Sequence, residues 1–161
     1  MINPVLALDP GPVSSALLLW DGEKIRWMDI VNNEEFILSF RANFSKKASA
    51  FVIEQVCSYG MAVGASVFET VFWSGWFAQA WPMEAYRMPR MDVKMHLCHN
   101  SRAKDTNIRQ ALIDRLGECG TKKNPGPLYG VRKDLWSALA LAVTWHDLHI
   151  INPKNNQEGI P

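Results

Sequence analysis

The sequence lacks the features that identify several common classes of protein. Its three cysteines are an odd number without CxxC spacing, which argues against a disulfide framework and fits a reducing cytoplasm. Its first residues, Met-Ile-Asn-Pro, carry no basic charge of the kind that begins a signal peptide. Seventeen Lys and Arg against sixteen Asp and Glu leave a net charge of +1, so overall charge does not select its partners. We therefore expect a cytoplasmic protein whose binding sites depend on local clusters of residues.

The sequence also does not support a membrane-spanning helix. Residues 60–83 are apolar enough to suggest one, but they include Glu69 and several hydroxyl and amide side chains. A carboxylate in mid-span costs about 2.5–3.5 kcal/mol on insertion scales. The segments on both sides resemble strands, which is the arrangement expected for a crossover helix between two parallel strands. We predict a helix at residues 64–81 that packs on the sheet on one side and on a second copy of the chain on the other.

Length and composition favour one globular domain. The chain has 161 residues, of which 48% are hydrophobic, enough for one full core and too few for two. Apolar runs bounded by turn residues predict strands at residues 5–8, 14–20, 24–30, 50–53 and 84–88. Helical spacing predicts helices that begin after Asn32 or Asn33, at residue 64, at an Asp105 N-cap and near residue 133.

The order of these elements predicts an α/β fold. Three consecutive strands joined by short turns form an antiparallel unit, and the strands that follow helices are expected to be parallel. The prediction is a mixed five-stranded sheet flanked by helices. We assign residues 1–151 to this single domain and residues 152–161 to a polar, flexible tail.

Three acidic residues occupy the ends of apolar elements. Asp9 and Glu54 each follow a predicted buried strand, and Asp134 lies in the first turn of the last helix. If the first and fourth strands are neighbours, the two strand-end acids come close together, and a helix laid across them adds the third. Clustered carboxylates repel one another unless a cation neutralises them, and Mg²⁺ prefers such oxygen ligands. The pattern predicts a site where paired metal ions catalyse phosphodiester hydrolysis.

Three segments also resemble, in order, the signature blocks of the RuvC family of Holliday-junction resolvases. They are LALDPG at residues 6–11, VIEQV at residues 52–56, and Asp134 followed by ALALA at residues 138–142. Ile-Glu-Gln-Val is the most discriminating match, and the blocks span residues 5–145. The resemblance implies an RNase H-like nuclease fold, a homodimer, and nicking of four-way DNA junctions that depends on Mg²⁺ or Mn²⁺, with two ions per active site. The short, divergent blocks resemble the phage-encoded branch, which implies the cytoplasm of a host cell.

The sequence departs from the family at the last helix. Members of the family usually carry two metal-binding residues there, three positions apart, but Ser137 occupies the second position. A hydroxyl is a much weaker Mg²⁺ ligand than a carboxylate. Either three acids and water suffice, or Asp105 moves in as a further ligand. The alternative for Asp105 is an ordinary helix N-cap.

Candidate DNA contacts lie in two places. The stretch from Arg87 to Arg109 is rich in Lys and Arg, and the resemblance implies that Lys104 within it approaches the scissile phosphate. Arg102 and Arg109 are further candidates, although such a stretch is also typical of a solvated surface. The resemblance also implies that the loop after Glu54 enters the junction, where Tyr59 or Met61 can stack on or wedge between bases. The alternative is that both are ordinary loop or core residues.

Two other functions fit the same residues. A nuclease of this fold can act on flaps, forks or other branched DNA, because the fold does not select the substrate. A catalytically silent DNA-binding or assembly protein is also possible if Ser137 marks a loss of metal affinity. The long helix carries more apolar surface than one face of the sheet needs, so we expect part of it to be buried in a homodimer. This surface consists of Val67, Phe68, Val71, Phe72, Trp76 and Phe77.

Overall fold

Five strands build one mixed sheet in the computed structural model, which describes residues 4–153. The strands are β1 (Val5–Asp9), β2 (Ser14–Trp20), β3 (Ile25–Asn32), β4 (Ala50–Gln55) and β5 (Tyr86–Pro89). Their order across the sheet is β3-β2-β1-β4-β5, with β1 to β3 antiparallel and β1, β4 and β5 parallel. The predicted topology, including the pairing of the first and fourth strands, is confirmed.

Helices cover both faces of this sheet. They are α1 (Asn33–Phe44), α2 (Ala65–Ala80), α3 (Arg90–Cys98), α4 (Asp105–Leu116) and α5 (Leu135–His146), and α5 continues into a π-helical turn, Asp147–Ile151. Of the predicted tail, residues 154–161 lie outside the described residues. No helix within residues 4–153 has the length and apolar character needed to cross a bilayer.

Alternation along β1 divides the core between the two faces of the sheet. Val5 and Ala7 pack in the core under α5, whereas Leu6 and Leu8 pack in the core under α1 and α2. Successive side chains of a strand point to opposite faces, so the next residue, Asp9, belongs to the α5 face. The fold thereby directs this carboxylate toward α5.

Aromatic rings fill the core under α1 and α2. Phe40 of α1 lies 5.2 Å from the ring of Phe51 in β4 and 5.2 Å from the ring of Phe77 in α2. Phe77 is fully buried and Trp73 nearly so. Phe77 therefore belongs to the part of this apolar surface that packs on the sheet, where the ring holds α2 in place. The other aromatic residues of α2 remain exposed.

One helix boundary and one whole helix differ from the prediction. The N-cap of α4 is Lys104 rather than Asp105, because the Asn107 side chain accepts a hydrogen bond of 2.9 Å from the Lys104 amide. Asp105 is the first helical residue, and its carboxylate is bonded elsewhere. Helix α3 was not predicted at all. It has one buried residue, Val93, and so gives little of the apolar periodicity by which helices are recognised.

A buried carboxylate anchors the far end of α5. Asp147, which begins the π-helical turn, accepts hydrogen bonds of 2.5 and 2.8 Å from Arg115 of α4 and one of 2.7 Å from His96 of α3. Burial alone raises the pKa of Asp147, but the bonds from Arg115 and His96 outweigh burial, so its pKa lies below the ordinary value. Three helices are thus tied together at one group.

We expect Asp147→Asn to lower the free energy of unfolding by about 1–3 kcal/mol at pH 7, because it removes a charge-assisted network. Because the pKa of Asp147 is lowered by folding, its ionised form stabilises the fold fully above the unfolded pKa of 3.8. This stabilisation is lost as the pH falls through the pKa of the folded state. The difference between variant and wild type should therefore shrink in urea titrations below pH 4. Asp114→Asn, at an exposed position on α4, is the control. Equal losses in the free energy of unfolding for the two variants would contradict the role of Asp147 in tying the three helices together.

Candidate active site

The register of two parallel strands brings Asp9 and Glu54 together. Leu8 of β1 pairs with Ile53 of β4, so Asp9 and Glu54 occupy the next position of the same register. Val52 lies in the core under α5, and alternation therefore places Glu54 on that face beside Asp9. Helix α5 packs across β1, β2 and β4, and Asp134 stands immediately before its first residue. All three predicted acids therefore lie at one end of the sheet.

A braced turn fixes the backbone that follows Asp9. The Ser15 hydroxyl donates a hydrogen bond of 2.7 Å to Asn33 Oδ1, and both side chains are buried. Asn33 Nδ2 in turn donates to the Gly11 carbonyl at 2.9 Å. A Cβ at Gly11 would lie 2.2 Å from the Ser14 carbonyl oxygen, so the turn requires glycine. Asn32 is the N-cap of α1, which leaves Asn33 to hold this turn.

Asp9 and Glu54 lie in hydrogen-bond contact at this end of the sheet. Burial raises the pKa of Asp9 to about 9, with further contributions from the charge of Glu54, from a hydrogen bond with Glu54, and from the charge of Asp134. Arg90 acts in the opposite direction but does not compensate. Asp9 is therefore protonated at neutral pH until a cation replaces the proton.

Arg90 lies at the centre of the site, and the sequence analysis did not single it out. Its guanidinium donates to Glu54 Oε1 at 3.1 Å, to Ser137 Oγ at 3.2 Å and to Asp105 Oδ1 at 2.5 Å. Burial lowers the pKa of Arg90, but its contacts with Asp105 and Glu54 raise the pKa by more than burial lowers it. The net pKa is raised, so the side chain keeps its charge. Asp105 thus pairs with an arginine, although its side chain is 82% exposed.

Two clefts meet at Glu54 and Arg90, which line both of them. The smaller, of about 280 Å³, also contains Asp9, Thr70 and Tyr59. The larger, of about 430 Å³, also contains Asp105, Asp134, Ser137, Arg109, Arg132 and Lys133. Asp9 and Asp134 therefore open into different clefts, and the Glu54–Arg90 pair forms the wall between them.

The three acids are the type of ligand that a hard divalent ion prefers. Their present spacing, however, is too wide for all three to hold one ion. Among residues 4–153, no three His, Cys, Asp or Glu side chains lie close enough together to hold one metal ion. Asp9 and Glu54 are already in contact, whereas Asp134 is exposed and acts on Asp9 through its charge alone. The raised pKa of Asp9 shows that burial and the neighbouring acids make its ionised form costly, as is typical of carboxylates that bind a cation. The donor set suits one ion between Asp9, Glu54 and Asp134.

The candidate DNA contacts surround these clefts. Arg102 and Lys104 are exposed in the connection from α3 to α4, and Arg109 stacks over Trp136 at 4.6 Å in the wall of the larger cleft. Tyr59 and Met61 are 62% and 73% exposed, so neither is a core residue.

The structure adds two cations that the sequence analysis missed, Arg132 and Lys133. Both are exposed and line the larger cleft directly before Asp134. Their position after a long loop carried no periodic signal, although their adjacency to Asp134 could have indicated them.

Two solved structures share the fold. A structure of Thermus thermophilus RuvC matches with a TM-score of 0.62 and 17% identity, over 93% of this chain and 97% of that one. T. thermophilus RuvC in complex with a Holliday-junction substrate matches with a TM-score of 0.63 and 17% identity, over 94% and 97%. No protein-family model and no curated protein sequence matches the chain. The likeness confirms the predicted RuvC-type, RNase H-like fold.

We expect Asp9→Asn to raise the melting temperature of the metal-free protein by about 3–6 °C at pH 8, because it removes a carboxyl group that is costly to ionise. A raised pKa means that stability is complete below 3.8 and is lost as the pH rises toward about 9. The variant and the wild type should therefore converge near pH 4. Thermal unfolding in a chelating buffer measures this, with exposed Asp29→Asn as the control. A lower melting temperature for Asp9→Asn at pH 8 would contradict the assignment.

Proposed function

We propose that the protein is a divalent-metal-dependent endonuclease that resolves four-way DNA junctions. The observation that carries this proposal is the convergence of Asp9, Glu54 and Asp134 at one end of a sheet with the RuvC fold. A RuvC of the same fold is known in complex with a Holliday junction, which supports this substrate class. The alternative substrates are flaps, forks and other branched DNA.

The three acids have distinct duties in this proposal. Asp9 and Glu54 supply half-buried oxygens, and Asp134 supplies one from the exposed start of α5. A bound Mg²⁺, or Mn²⁺ in its place, activates a water for attack and stabilises charge on the leaving oxygen. Asp9 must release its proton to become a ligand, so metal affinity should rise with pH.

The surrounding cations give the DNA backbone a path to the acids. Arg109, Arg132 and Lys133 line the larger cleft, and Lys104 and Arg102 lie next to it in the chain. Cations in such positions bind phosphates and orient the duplex arms without reading the base sequence. Exposed Tyr59 lines the smaller cleft, and exposed Met61 follows it in the same loop, so both can stack on unpaired bases at the branch point.

Cleavage of synthetic DNA tests the assignment. We expect Asp9→Asn, Glu54→Gln and Asp134→Asn each to slow Mg²⁺-dependent cleavage of a four-way junction by about 10³-fold or more, because several kcal/mol of transition-state stabilisation depend on the ion. Junction binding in gel-shift assays should change little, because these residues do not contact the phosphates through positive charge. Asp29→Asn is the matched control.

The substrate panel separates the remaining alternatives. Faster cutting of flaps or forks than of four-way junctions would transfer the proposal to those substrates. Binding without cleavage of any branched DNA, in Mg²⁺ and in Mn²⁺, would indicate the silent DNA-binding function, which the contact of Arg90 with Glu54 and Ser137 favours. Robust cleavage by any two of the three carboxylate variants would remove these acids from the mechanism.

A second copy of the chain is the proposed partner of helix α2. Phe68, Phe72 and Trp76 are 66%, 55% and 46% exposed on one helix. An apolar groove of about 640 Å³ between α1 and α2 continues this surface. Contiguous apolar patches of this kind mark interfaces, and two copies related by a twofold axis would cover each other's patch. A dimer also matches the two strands that a resolvase must cut.

We expect Phe68→Glu to weaken self-association by at least about 30-fold, because a carboxylate would be buried without a partner. Phe68 is the substitution of choice because it is the most exposed of the three rings, so the monomer should fold normally. Sedimentation velocity across the micromolar range measures the change. Ile151→Glu, a 56% exposed residue beyond α5, is the control. A wild type that sediments as a monomer at these concentrations would contradict the dimer.

A further inference from the structure

We propose that Arg90 is a resident cation that occupies the place of a second divalent ion, so that the site takes one metal ion and not two. This inference rests on the proposed function, because it concerns the metal count of that same site. It replaces the two-ion expectation drawn from the family resemblance.

Arg90 is surrounded by oxygen atoms in the way that a bound metal ion would be. Its guanidinium meets oxygens from three separate elements, namely Glu54 of β4, Asp105 of α4 and Ser137 of α5, at 2.5 to 3.2 Å. A planar guanidinium has five N–H donors in a fixed fork, which matches several oxygens around one point. A metal ion at the same point would need those oxygens at about 2.0–2.1 Å, with their lone pairs directed inward. The two occupants exclude each other.

Ser137 is the residue at which the two alternatives differ chemically. A hydroxyl is a poor Mg²⁺ ligand, but it accepts a hydrogen bond from an arginine readily, as it does here at 3.2 Å. The presence of a serine one turn after Asp134 is therefore consistent with an arginine in front of it. The departure from the family pattern and the arginine form one matched pair.

Charge balance supports the same count. Asp9, Glu54 and Asp134 carry three negative charges when ionised, and one divalent ion together with Arg90 supplies three positive charges. Asp105 pairs with Arg90 at 2.5 Å, but its side chain is 82% exposed, so water screens its charge from the three other acids. A second divalent ion would leave an excess of positive charge beside Arg109, Arg132 and Lys133, which already line the cleft.

The experiment counts Mn²⁺ ions on the chelator-treated, full-length protein by isothermal titration, with electron paramagnetic resonance of the bound ions as a second readout. We expect one isolated Mn²⁺ per protomer for the wild type and for Ser137→Asp, in which the new carboxylate pairs with Arg90. We expect two ions with a spin-coupled signal for the double variant Arg90→Gln/Ser137→Asp. The count should thus double only when the arginine leaves.

Controls and outcomes keep the inference separate from the proposed function. Arg109→Gln/Ser137→Asp removes a neighbouring cation that stacks on Trp136, and should still bind one ion. Circular dichroism checks the fold, and Arg90→Met/Ser137→Asp replaces the Gln variant if that one unfolds. Two ions on the wild type or on Ser137→Asp, or one ion on the Arg90 double variants, would overturn the role of Arg90 alone. Failure of the wild type to bind Mn²⁺ would overturn the metal-dependent function with it.

Discussion

Negative charge withdrawn from water at one end of the sheet is the constraint on which the site depends. Two parallel strands end in carboxylates at the same register position, and α5 covers them, so neither group can be fully solvated. Desolvated like charges are stable only with a proton or a cation between them. Asp9 retains a proton, and Arg90 supplies positive charge to Glu54. Chemistry that depends on a divalent ion is a natural use of such a site.

The same constraint explains why so much of the structure serves to hold a few atoms still. The Ser15–Asn33 pair fixes the turn after Asp9, and Asp147 fixes the far end of α5 to α3 and α4. The first is a buried hydrogen-bond network and the second is centred on a buried carboxylate, so each is stabilising only while its buried polar groups are hydrogen-bonded. The core therefore fixes the positions of the carboxylates. It holds them together although they repel one another.

The fold was predictable to the extent that it is encoded in local patterns. Strand alternation and turns located β1 to β5, and the apolar runs located α2 and α5, because burial on one face leaves a periodic trace. Helix α3 left none, since Val93 is its only buried residue. The importance of Arg90 was equally hidden. Its partners lie 36, 15 and 47 positions away in the chain, so only the tertiary fold reveals that this arginine meets the acids.

Lys133 and Asp134 are neighbours in the chain, and this adjacency has a thermodynamic consequence. Lys133 holds a left-handed backbone conformation, with φ of 49°, and shares a peptide bond with Asp134, so a change in its backbone would also move that carboxylate. A phosphate that engages Lys133 would therefore bias the position of Asp134, and an ion on Asp134 would bias Lys133. Linkage makes such an effect reciprocal and equal in both directions. Under the proposed function, the protein would then hold its ion more tightly on DNA than off it, and each substrate would help to assemble the site that cuts it.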